Sequence, residues 1–486
     1  MTNNNIIKNI LLLLLIVSTF TFSTINTFAT DISYQSYEGE ITSQAAFIMD
    51  ADSSVVLYEK NANERLYPAS LTKVMTAIIV FDKVNGNYDD MVNFSYLSVT
   101  KDIDKSSVTI GASAGDQLSV KDCLYSLLLP SANDAANALA EYVAGSINDF
   151  ALLMNEKAEM LGCVDTHFVN PSGLHDENQY TTASDMAKIL QCAMSYPIFL
   201  QISSSVSYRH APIRRYKNPE NSNNQVLNTN SIMVPGSGYY YNGVTSGKTG
   251  HTKLAGYNLV ASARKNDMNL ICVLLGGKSE KSRYNEAKEL FEFYFNNYKS
   301  LSIKDVDPRF NDSLGSISID DVSLVKTLNI TCEDNAHITL PNNVNFSDLT
   351  SKVVYQVEDK YDKYAIGTIY YYLDEKLVGK STLDGKNLEN LDSIFTSHLN
   401  LSRVAEEENN NSIRENQDLN NQQNNSLIYI DQNGNIKISP VLINVFIVIS
   451  IILLLMIISV FIYIAVINNS NFPIRKFIFR LKRRFK

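Results

Sequence analysis

The chain of 486 residues is 45% hydrophobic and 19% charged, which supplies enough apolar side chains for two or three domains with buried cores. Its formal net charge of −9 argues against nucleic acid as a partner, because nucleic-acid-binding proteins are usually basic. The five cysteines are an odd number, so at least one thiol is unpaired within the chain, and the six histidines show no metal-ligand spacing.

The first 29 residues have the pattern of a secretory signal peptide. Lys8 precedes the apolar run ILLLLLIV, and small residues follow it, so cleavage after Ala29 is expected. An uncleaved membrane anchor is the alternative. The apolar run is, however, shorter than the roughly 20 residues that a membrane span requires.

Residues 441–467 predict a transmembrane helix, because they are apolar, uncharged and long enough to cross a bilayer. The tail that follows, residues 468–486, is rich in arginine and lysine, which places it on the cytoplasmic side. We therefore expect a single-pass protein of the cytoplasmic membrane whose main part lies outside the cell. A buried core helix is the alternative interpretation of the apolar run.

Residues 30–300 predict one domain that mixes helices and strands. The patterns indicate, in chain order, two strands around a turn at Asp50–Ser53, an almost wholly apolar helix in 71–84, two helices separated by Pro130, a hairpin with a turn near Lys265–Asp267, and an amphipathic helix in 282–298.

Beyond residue 300 the character of the sequence changes twice. Short alternating runs separated by turn residues predict a small all-β domain over residues 301–395. Residues 396–440 are predicted to be a disordered stalk, because their polar stretch 404–426 contains too few large apolar side chains to form a core.

The sequence PASLTK, residues 68–73, places a serine and a lysine three residues apart at the start of the first predicted helix. Residues i and i+3 share one face of a helix, so Ser70 and Lys73 are expected within hydrogen-bond reach. A serine hydroxyl becomes a good nucleophile when a neighbouring base takes its proton, and a neutral lysine is such a base if burial lowers its pKa. The same spacing occurs at Ser98–Lys101, Ser262–Lys265 and Ser323–Lys326, so the motif alone proves little.

Two further motifs strengthen this interpretation. SAN at 131–133 lies between two predicted helices, where Ser131 can relay a proton and Asn133 can hold a substrate backbone. KTG at 248–250 lies next to a predicted strand, where Lys248 supplies a cation, Thr249 a hydroxyl for an anion, and Gly250 space for a close backbone approach. Taken singly, each motif is better explained by an ordinary surface serine, asparagine or lysine.

Together the motifs occur in the order SxxK, SxN and KTG, as in penicillin-binding proteins and class A β-lactamases. The stretches 55–77, 127–146, 167–187 and 246–263 extend the likeness, so that about residues 45–300 resemble the low-molecular-mass penicillin-binding proteins. The resemblance implies a serine D-alanyl-D-alanine carboxypeptidase of the peptidoglycan pathway. It also implies an α+β, transpeptidase-like fold in which helices flank an antiparallel sheet.

The resemblance also implies roles for the matching residues. Ser70 would be the acylated nucleophile, Lys73 its base, and Ser131 a proton relay. The residues implied in substrate binding are Asn133, Lys248, Thr249, Gly250, His251 and Arg283, with the backbone N–H groups of Ser70 and His251 as the oxyanion hole. The expected ligands are a peptidoglycan stem pentapeptide and β-lactam antibiotics, with no metal and no cofactor.

Two other functions remain open on the sequence. A β-lactamase carries the same motifs, but it needs neither a β-domain nor a stalk and an anchor, and SAN in place of SDN departs from class A. A non-catalytic β-lactam sensor would use the anchor to signal inward. The tail of residues 468–486 is, however, too short for a cytoplasmic effector domain.

Overall fold

The computed structural model describes residues 35–101, 103, 107–214, 224–311, 318–319, 322–323, 331–355, 365–384, 428–430 and 436–438. The chain divides into two units, Met1–Asn387 and Leu388–Lys486. In the second unit the strands Ile428–Ile430 and Ile436–Ile438 form an antiparallel pair. The predicted signal peptide, membrane span and tail lie outside the described residues.

A five-stranded antiparallel sheet is the centre of the first unit. Its strands in spatial order are β2 (Val56–Lys60), β1 (Ala45–Asp50), β9 (Met268–Gly277), β8 (Gly256–Lys265) and β7 (Val244–Thr252). Because β7 is an edge strand, one side of its backbone has no strand partner within this sheet. That free edge is where the KTG motif lies.

Helices cover both faces of this sheet. They are α1 (Thr72–Val84), α2 (Val120–Leu128), α3 (Asn133–Ala144), α4 (Ile147–Met160), α5 (Ala183–Met194), α6 (Pro197–Ser203) and α7 (Glu280–Asn297). Side chains alternate between the two faces along each strand. In β1, for example, Phe47 and Met49 join the core on the side of α1–α6, whereas Ala46 and Ile48 join the core beneath α7.

The predicted elements of residues 30–300 agree with the structure. The almost wholly apolar segment 71–84 forms α1, which is buried over most of its surface. The hairpin of β8 and β9 turns at Asn266 and Asp267, which both have positive φ, at 50° and 62°. Two successive residues of positive φ match the twist of a two-residue hairpin, and Asn and Asp tolerate that conformation better than most residues.

A second antiparallel sheet follows α7. The strands β10 (Tyr298–Ser302), β14 (His337–Pro341), β17 (Lys376–Asp384), β16 (Ala365–Leu373) and β15 (Thr350–Tyr355) lie in that order. A short strand, β13 (Thr331–Cys332), also pairs with β17. The other short strands of this unit form antiparallel pairs, β3 (Met91–Asn93) with β4 (Gln117–Ser119), β5 (Ser207–Arg209) with β6 (Gln225–Leu227), and β11 (Ser318–Ile319) with β12 (Val322–Ser323). Where the structure describes them, the alternating runs predicted as strands are strands, while the small all-β domain and the division at residue 300 stay predictions.

A buried polar contact joins the two sheets. Asp50, at the end of β1, accepts a hydrogen bond of 2.9 Å from the hydroxyl of Thr339 in β14. Thr339 also lies 2.6 Å from the hydroxyl of Ser53. Burial raises the pKa of the Asp50 carboxyl, and its hydrogen bonds oppose that rise. The turn between the first two strands is thus held against the second sheet.

Among the described residues, no helix combines the length and the apolarity that a membrane crossing requires. The predicted span 441–467 is not among those residues, and it stays a prediction.

Candidate active site

Ser70 lies in a short 3-10 turn, Ala69–Leu71, that leads directly into α1. The sequence predicted the start of an α-helix here, and the structure places the serine one turn earlier. Ala69 has a φ of 50°, in the left-handed region that disfavours side chains with a Cβ. Strain of this kind costs on the order of 1–3 kcal/mol and persists only where the surroundings hold it.

Residues of the five-stranded sheet hold the strained turn Ala69–Leu71 in place. The side-chain amide of Asn258 in β8 donates hydrogen bonds of 2.8 Å to the Tyr67 carbonyl and 3.1 Å to the Pro68 carbonyl. Gly250 in β7 packs against the same turn, where a Cβ would lie 2.8 Å from the Pro68 oxygen. The prediction that Gly250 makes room for a substrate is therefore incomplete, because the glycine also makes room for the serine turn.

Lys73 is the centre of the hydrogen-bond network, and its side chain is fully buried. Its Nζ lies 3.1 Å from the Ser70 Oγ, 2.8 Å from the Asn133 Oδ1 and 2.5 Å from the Ser172 carbonyl oxygen. The Asn133 Oδ1 and the Ser172 carbonyl oxygen can only accept hydrogen bonds, whereas the Ser70 hydroxyl can also donate one. A neutral amine matches this set, because it has two N–H groups and one lone pair.

Electrostatics favours the neutral amine. Burial and, to a lesser degree, the charge of Lys248 hold the pKa of Lys73 well below its usual range, and Asp134 opposes the shift. Burial also lowers the pKa of Lys248 to about 7, assisted by Arg283. Two buried lysines thus lie in one site, and the environment favours the neutral form of each.

The SAN motif enters the site between α2 and α3. Ser131 is buried and has a φ of 75°, so its backbone is strained like that of Ala69. Within the described part of the chain its Oγ has no hydrogen-bond partner. Asn133 is the first residue of α3 and contacts Lys73 directly. The structure therefore joins Asn133 to the lysine and leaves the Ser131 hydroxyl available for a proton or a ligand.

Asp134, next to the SAN motif, holds one wall of the site. Its carboxylate accepts hydrogen bonds of 3.1–3.2 Å from the backbone N–H groups of Ile110, Gly111 and Ala112. The N–H of Asn133 in turn donates to the Val108 carbonyl. These bonds fix the segment 108–112 against the start of α3.

The KTG motif lies within β7 at the free edge of the sheet. Lys248 and Thr249 are buried, and Lys248 donates a hydrogen bond of 2.9 Å to the Thr249 carbonyl. His251 is exposed, and its ring packs against Tyr257 at 4.2 Å. Its imidazole has no contact with Ser70 or Lys73 among the described interactions, and the role of its backbone N–H in an oxyanion hole stays a prediction.

Arg283, on α7, lies behind this strand. Its Nη1 donates to the Asn258 carbonyl at 3.3 Å, and its guanidinium lies over the Tyr284 ring at 4.7 Å. The side chain is buried, and its positive charge lowers the pKa of Lys248. The structure therefore connects Arg283 to the KTG motif, while its predicted contact with a substrate carboxylate stays a prediction.

Sequence analysis assigned no role to the segment Asn170–Gly173, which the structure places against the serine turn. The Ser172 carbonyl accepts a hydrogen bond from Lys73, and the Pro171 carbonyl accepts one from Thr76. Gly173 has a φ of 83°, and a Cβ there would overlap the Ala69 carbonyl. The dipeptides Asn-Pro and Ser-Gly signal a turn, but backbone contacts of this kind leave no side-chain motif.

No group of three or more metal-ligating side chains occurs in the part of the chain that the structure describes.

Comparison with known proteins agrees with this geometry. The family model described as D-alanyl-D-alanine carboxypeptidase matches residues 31–279. D-alanyl-D-alanine carboxypeptidase DacF of Bacillus subtilis is 33% identical over 262 residues, which are 53% of this chain and 63% of that protein. DacA of Haemophilus influenzae is 30% identical over 370 residues, which are 74% of this chain and 88% of that protein.

A solved structure shows the same fold. Penicillin-binding protein 5 from Haemophilus influenzae aligns with a TM-score of 0.57 and 28% identity, over 72% of this chain and 98% of that one. The predicted α+β fold with antiparallel sheets is thereby confirmed. The extent of the family match and of the DacA alignment shows that this chain belongs to the D-alanyl-D-alanine carboxypeptidase family.

Proposed function

We propose that the protein is a serine D-alanyl-D-alanine carboxypeptidase that removes the terminal D-alanine from peptidoglycan stem pentapeptides. The observation that carries this proposal is the amine of Lys73. Its two N–H groups have buried acceptors in the Asn133 Oδ1 and the Ser172 carbonyl oxygen. Its lone pair is then available to the Ser70 hydroxyl, whose Oγ lies 3.1 Å from the Nζ. A neutral lysine in that setting accepts the serine proton while its other contacts stay intact.

The first step forms an acyl-enzyme. The Ser70 oxygen attacks the carbonyl carbon of the penultimate D-alanine as its proton moves to Lys73. The N–H groups of Ser70 and His251 stabilise the oxyanion. Ser131, the first residue of the SAN motif, whose Oγ is buried, relays the proton to the leaving amine of the terminal D-alanine.

The substrate is held from two sides. Asn133 binds the peptide backbone, and Lys248 and Thr249 bind the terminal carboxylate from the free edge of β7. Arg283 supports them, because its charge lies close enough to lower the pKa of Lys248. Water then hydrolyses the acyl-enzyme and leaves a tetrapeptide. β-Lactams acylate Ser70 because they resemble the D-alanyl-D-alanine end of the substrate.

The protein works at the outer side of the cytoplasmic membrane. Residues 1–29 direct export, and residues 441–467 anchor the chain with the basic tail 468–486 inside. The stem peptides of peptidoglycan are on that outer side, where the exported catalytic part would meet them.

The direct test is to incubate the purified protein with a pentapeptide that ends in D-Ala-D-Ala and to measure released D-alanine. We expect release by the wild type and none by Ser70→Ala. A fluorescent penicillin in a parallel sample reports acylation. Rapid turnover of the penicillin without D-alanine release would instead indicate a β-lactamase. Stable acylation without release from any peptide would indicate a sensor.

A further inference from the structure

The second sheet has two unlike faces, and neither takes part in the proposed reaction. In β16 the side chains of Ile369, Tyr371 and Leu373 are fully buried, whereas those of Tyr370 and Tyr372 are partly exposed. Successive side chains of a strand point to opposite faces of its sheet. Tyr370 and Tyr372 therefore lie together on the face that solvent reaches.

The two tyrosines form an aromatic row along β16. Their ring centroids are 6.5 Å apart, and their ring planes differ by 26°. Among the described residues, neither phenol hydroxyl has a hydrogen-bond partner. An exposed tyrosine offers a flat apolar surface with a polar tip. A sugar ring matches such a surface, because its face carries C–H groups and its edge carries hydroxyls.

A lysine flanks Tyr370 on each side. Lys352 of β15 and Lys380 of β17 are directly opposite Tyr370 in the two neighbouring strands. Residues directly opposite each other share a face of the sheet, with Cβ atoms about 5 Å apart. Both lysines are exposed, and within the described ranges neither makes a hydrogen bond or an ion pair. Both ammonium groups are therefore available to anions.

The strands that carry this row are basic, although the whole chain has a formal net charge of −9. Together β15, β16 and β17 contain the lysines Lys352, Lys376 and Lys380 and one acidic residue, Asp384, at the end of β17. An anionic partner complements the charge of these strands. The aromatic row adds a requirement for C–H surface on the same partner.

We propose that this face, formed by Lys352, Tyr370, Tyr372 and Lys380, binds the glycan strand of peptidoglycan. The identity of the polymer rests on the proposed function, because the stem pentapeptides are attached to that strand. The tyrosine rings pack against the C–H faces of the sugars. The two lysines bind carboxylates of the stem peptides along the same strand.

Such a surface would bring the enzyme to its polymeric substrate. Both sheets belong to one compact unit, so a strand bound at the second sheet stays near the active site of the first. A second attachment of this kind raises the effective concentration of stem peptides without any new contact in the active site.

The test measures co-sedimentation of the full-length protein, in detergent, with purified peptidoglycan from which other wall polymers have been removed. Every sample contains excess penicillin, so that the active site does not contribute to binding. We expect the wild type to sediment with the peptidoglycan. Added salt should weaken binding, because it screens the two exposed lysines. Absence of binding by the wild type would overturn the surface.

Two variants assign the contacts. Tyr370→Thr should weaken binding about tenfold, because it removes the ring and keeps a residue that favours strands. Lys380→Gln should weaken binding about fivefold and reduce the effect of salt. The matched controls are Tyr96→Thr and Lys83→Gln, which change exposed residues outside the second sheet and should bind as the wild type does. Wild-type binding by Tyr370→Thr and Lys380→Gln would overturn the assignment.

Competition separates a glycan surface from a general anion site. Soluble glycan strands with their stem peptides should displace the protein from peptidoglycan, whereas polyglutamate, which has carboxylates but no sugars, should compete poorly. Equal competition by the two polymers would show that the lysines alone bind, and it would overturn the role of the tyrosines.

Release of D-alanine from a soluble pentapeptide, measured without penicillin, separates this inference from the proposed function. The rate should be unchanged in Tyr370→Thr and Lys380→Gln, which also shows that both variants are folded. Release from peptidoglycan that carries pentapeptides should fall in both. A wild type that releases D-alanine but does not bind peptidoglycan would overturn only the surface. A wild type that binds peptidoglycan but releases no D-alanine would overturn the proposed function.

Discussion

At the scale of single residues, the proposed reaction depends on two lysines in different protonation states. Lys73 must be neutral to accept a proton, and Lys248 must be charged to bind a carboxylate. Burial disfavours the charge on both; the charge of Lys248 lowers the pKa of Lys73 further, and the charge of Arg283 lowers that of Lys248. The charge of Lys248 itself lowers the pKa of Lys73, so a charged Lys248 favours a neutral Lys73 beside it.

This arrangement predicts a bell-shaped dependence of kcat/KM on pH. On the acid side the rate falls when Lys73 becomes protonated, well below the usual range of lysine. On the basic side it falls as pH rises through about 7, because Lys248 then loses its charge. Lys248→Arg keeps the cation at all these pH values. The variant should therefore retain activity above pH 7 and keep the acid limb. If the basic limb of Lys248→Arg lies at the same pH as in the wild type, loss of the Lys248 charge is not its cause.

The pairing of Ser70 with Lys73 was predictable, because a spacing of three residues on a helix brings two side chains together. The contacts of Lys73 with Asn133 and with the Ser172 carbonyl were not predicted. The Ser172 carbonyl comes from a loop about 100 residues away in the chain, and a backbone carbonyl has no sequence signature. Ser131 was predicted as a relay from the resemblance, and its unpaired Oγ leaves that role a prediction.

At the scale of elements, the site is formed where a turn, a helix and a strand end meet. The serine turn is held by Asn258 of β8, by Gly250 of β7 and by the loop at Gly173. Hydrophobic periodicity indicated α1 and the hairpin correctly, because their patterns are local. The contacts among the three elements could not be predicted in the same way, because they are made by backbone atoms of distant segments.

Gly173 tests the importance of this close contact. In Gly173→Ala the new methyl group would overlap the Ala69 carbonyl, and the φ of 83° would add strain. We expect a lower melting temperature and a loss of penicillin acylation, because the serine turn must move. Gly162→Ala is the matched control, since Gly162 also has positive φ, 67°, but nothing lies within 4 Å of a Cβ there.

Gly162→Ala should lower the free energy of unfolding only by the strain of a left-handed backbone, about 1–2 kcal/mol. It should leave penicillin acylation unchanged. A Gly173→Ala variant as stable and as reactive as Gly162→Ala would show that the loop and the serine turn do not need to be in contact.

At the scale of the whole molecule, two antiparallel sheets lie in one compact unit and meet at a buried polar contact between Asp50 and Thr339. The strands of both sheets were predictable from alternation and turn residues. The joint between the sheets was not, because a lone buried aspartate and threonine give no pattern along the chain.

The proposed C-terminal anchor, residues 441–467, can be tested by truncation. A chain that ends after residue 440 lacks the apolar run 441–467, so we expect it in the soluble fraction after export, whereas the full chain sediments with membranes. D-alanine release from a soluble pentapeptide should be the same for both proteins, because the catalytic residues all precede residue 300. Sedimentation of the shortened chain with membranes would contradict a single C-terminal anchor.

In the proposed mechanism a neutral Lys73 activates Ser70. The rate at which a penicillin labels the tryptic peptide that contains Ser70 tests this activation directly. In the wild type that peptide comprises residues 66–73. We predict labelling on Ser70 in the wild type and a rate at least about 100-fold lower in Lys73→Ala, with an unchanged melting transition. Labelling of a different peptide, or an equal rate in Lys73→Ala, would contradict the claim.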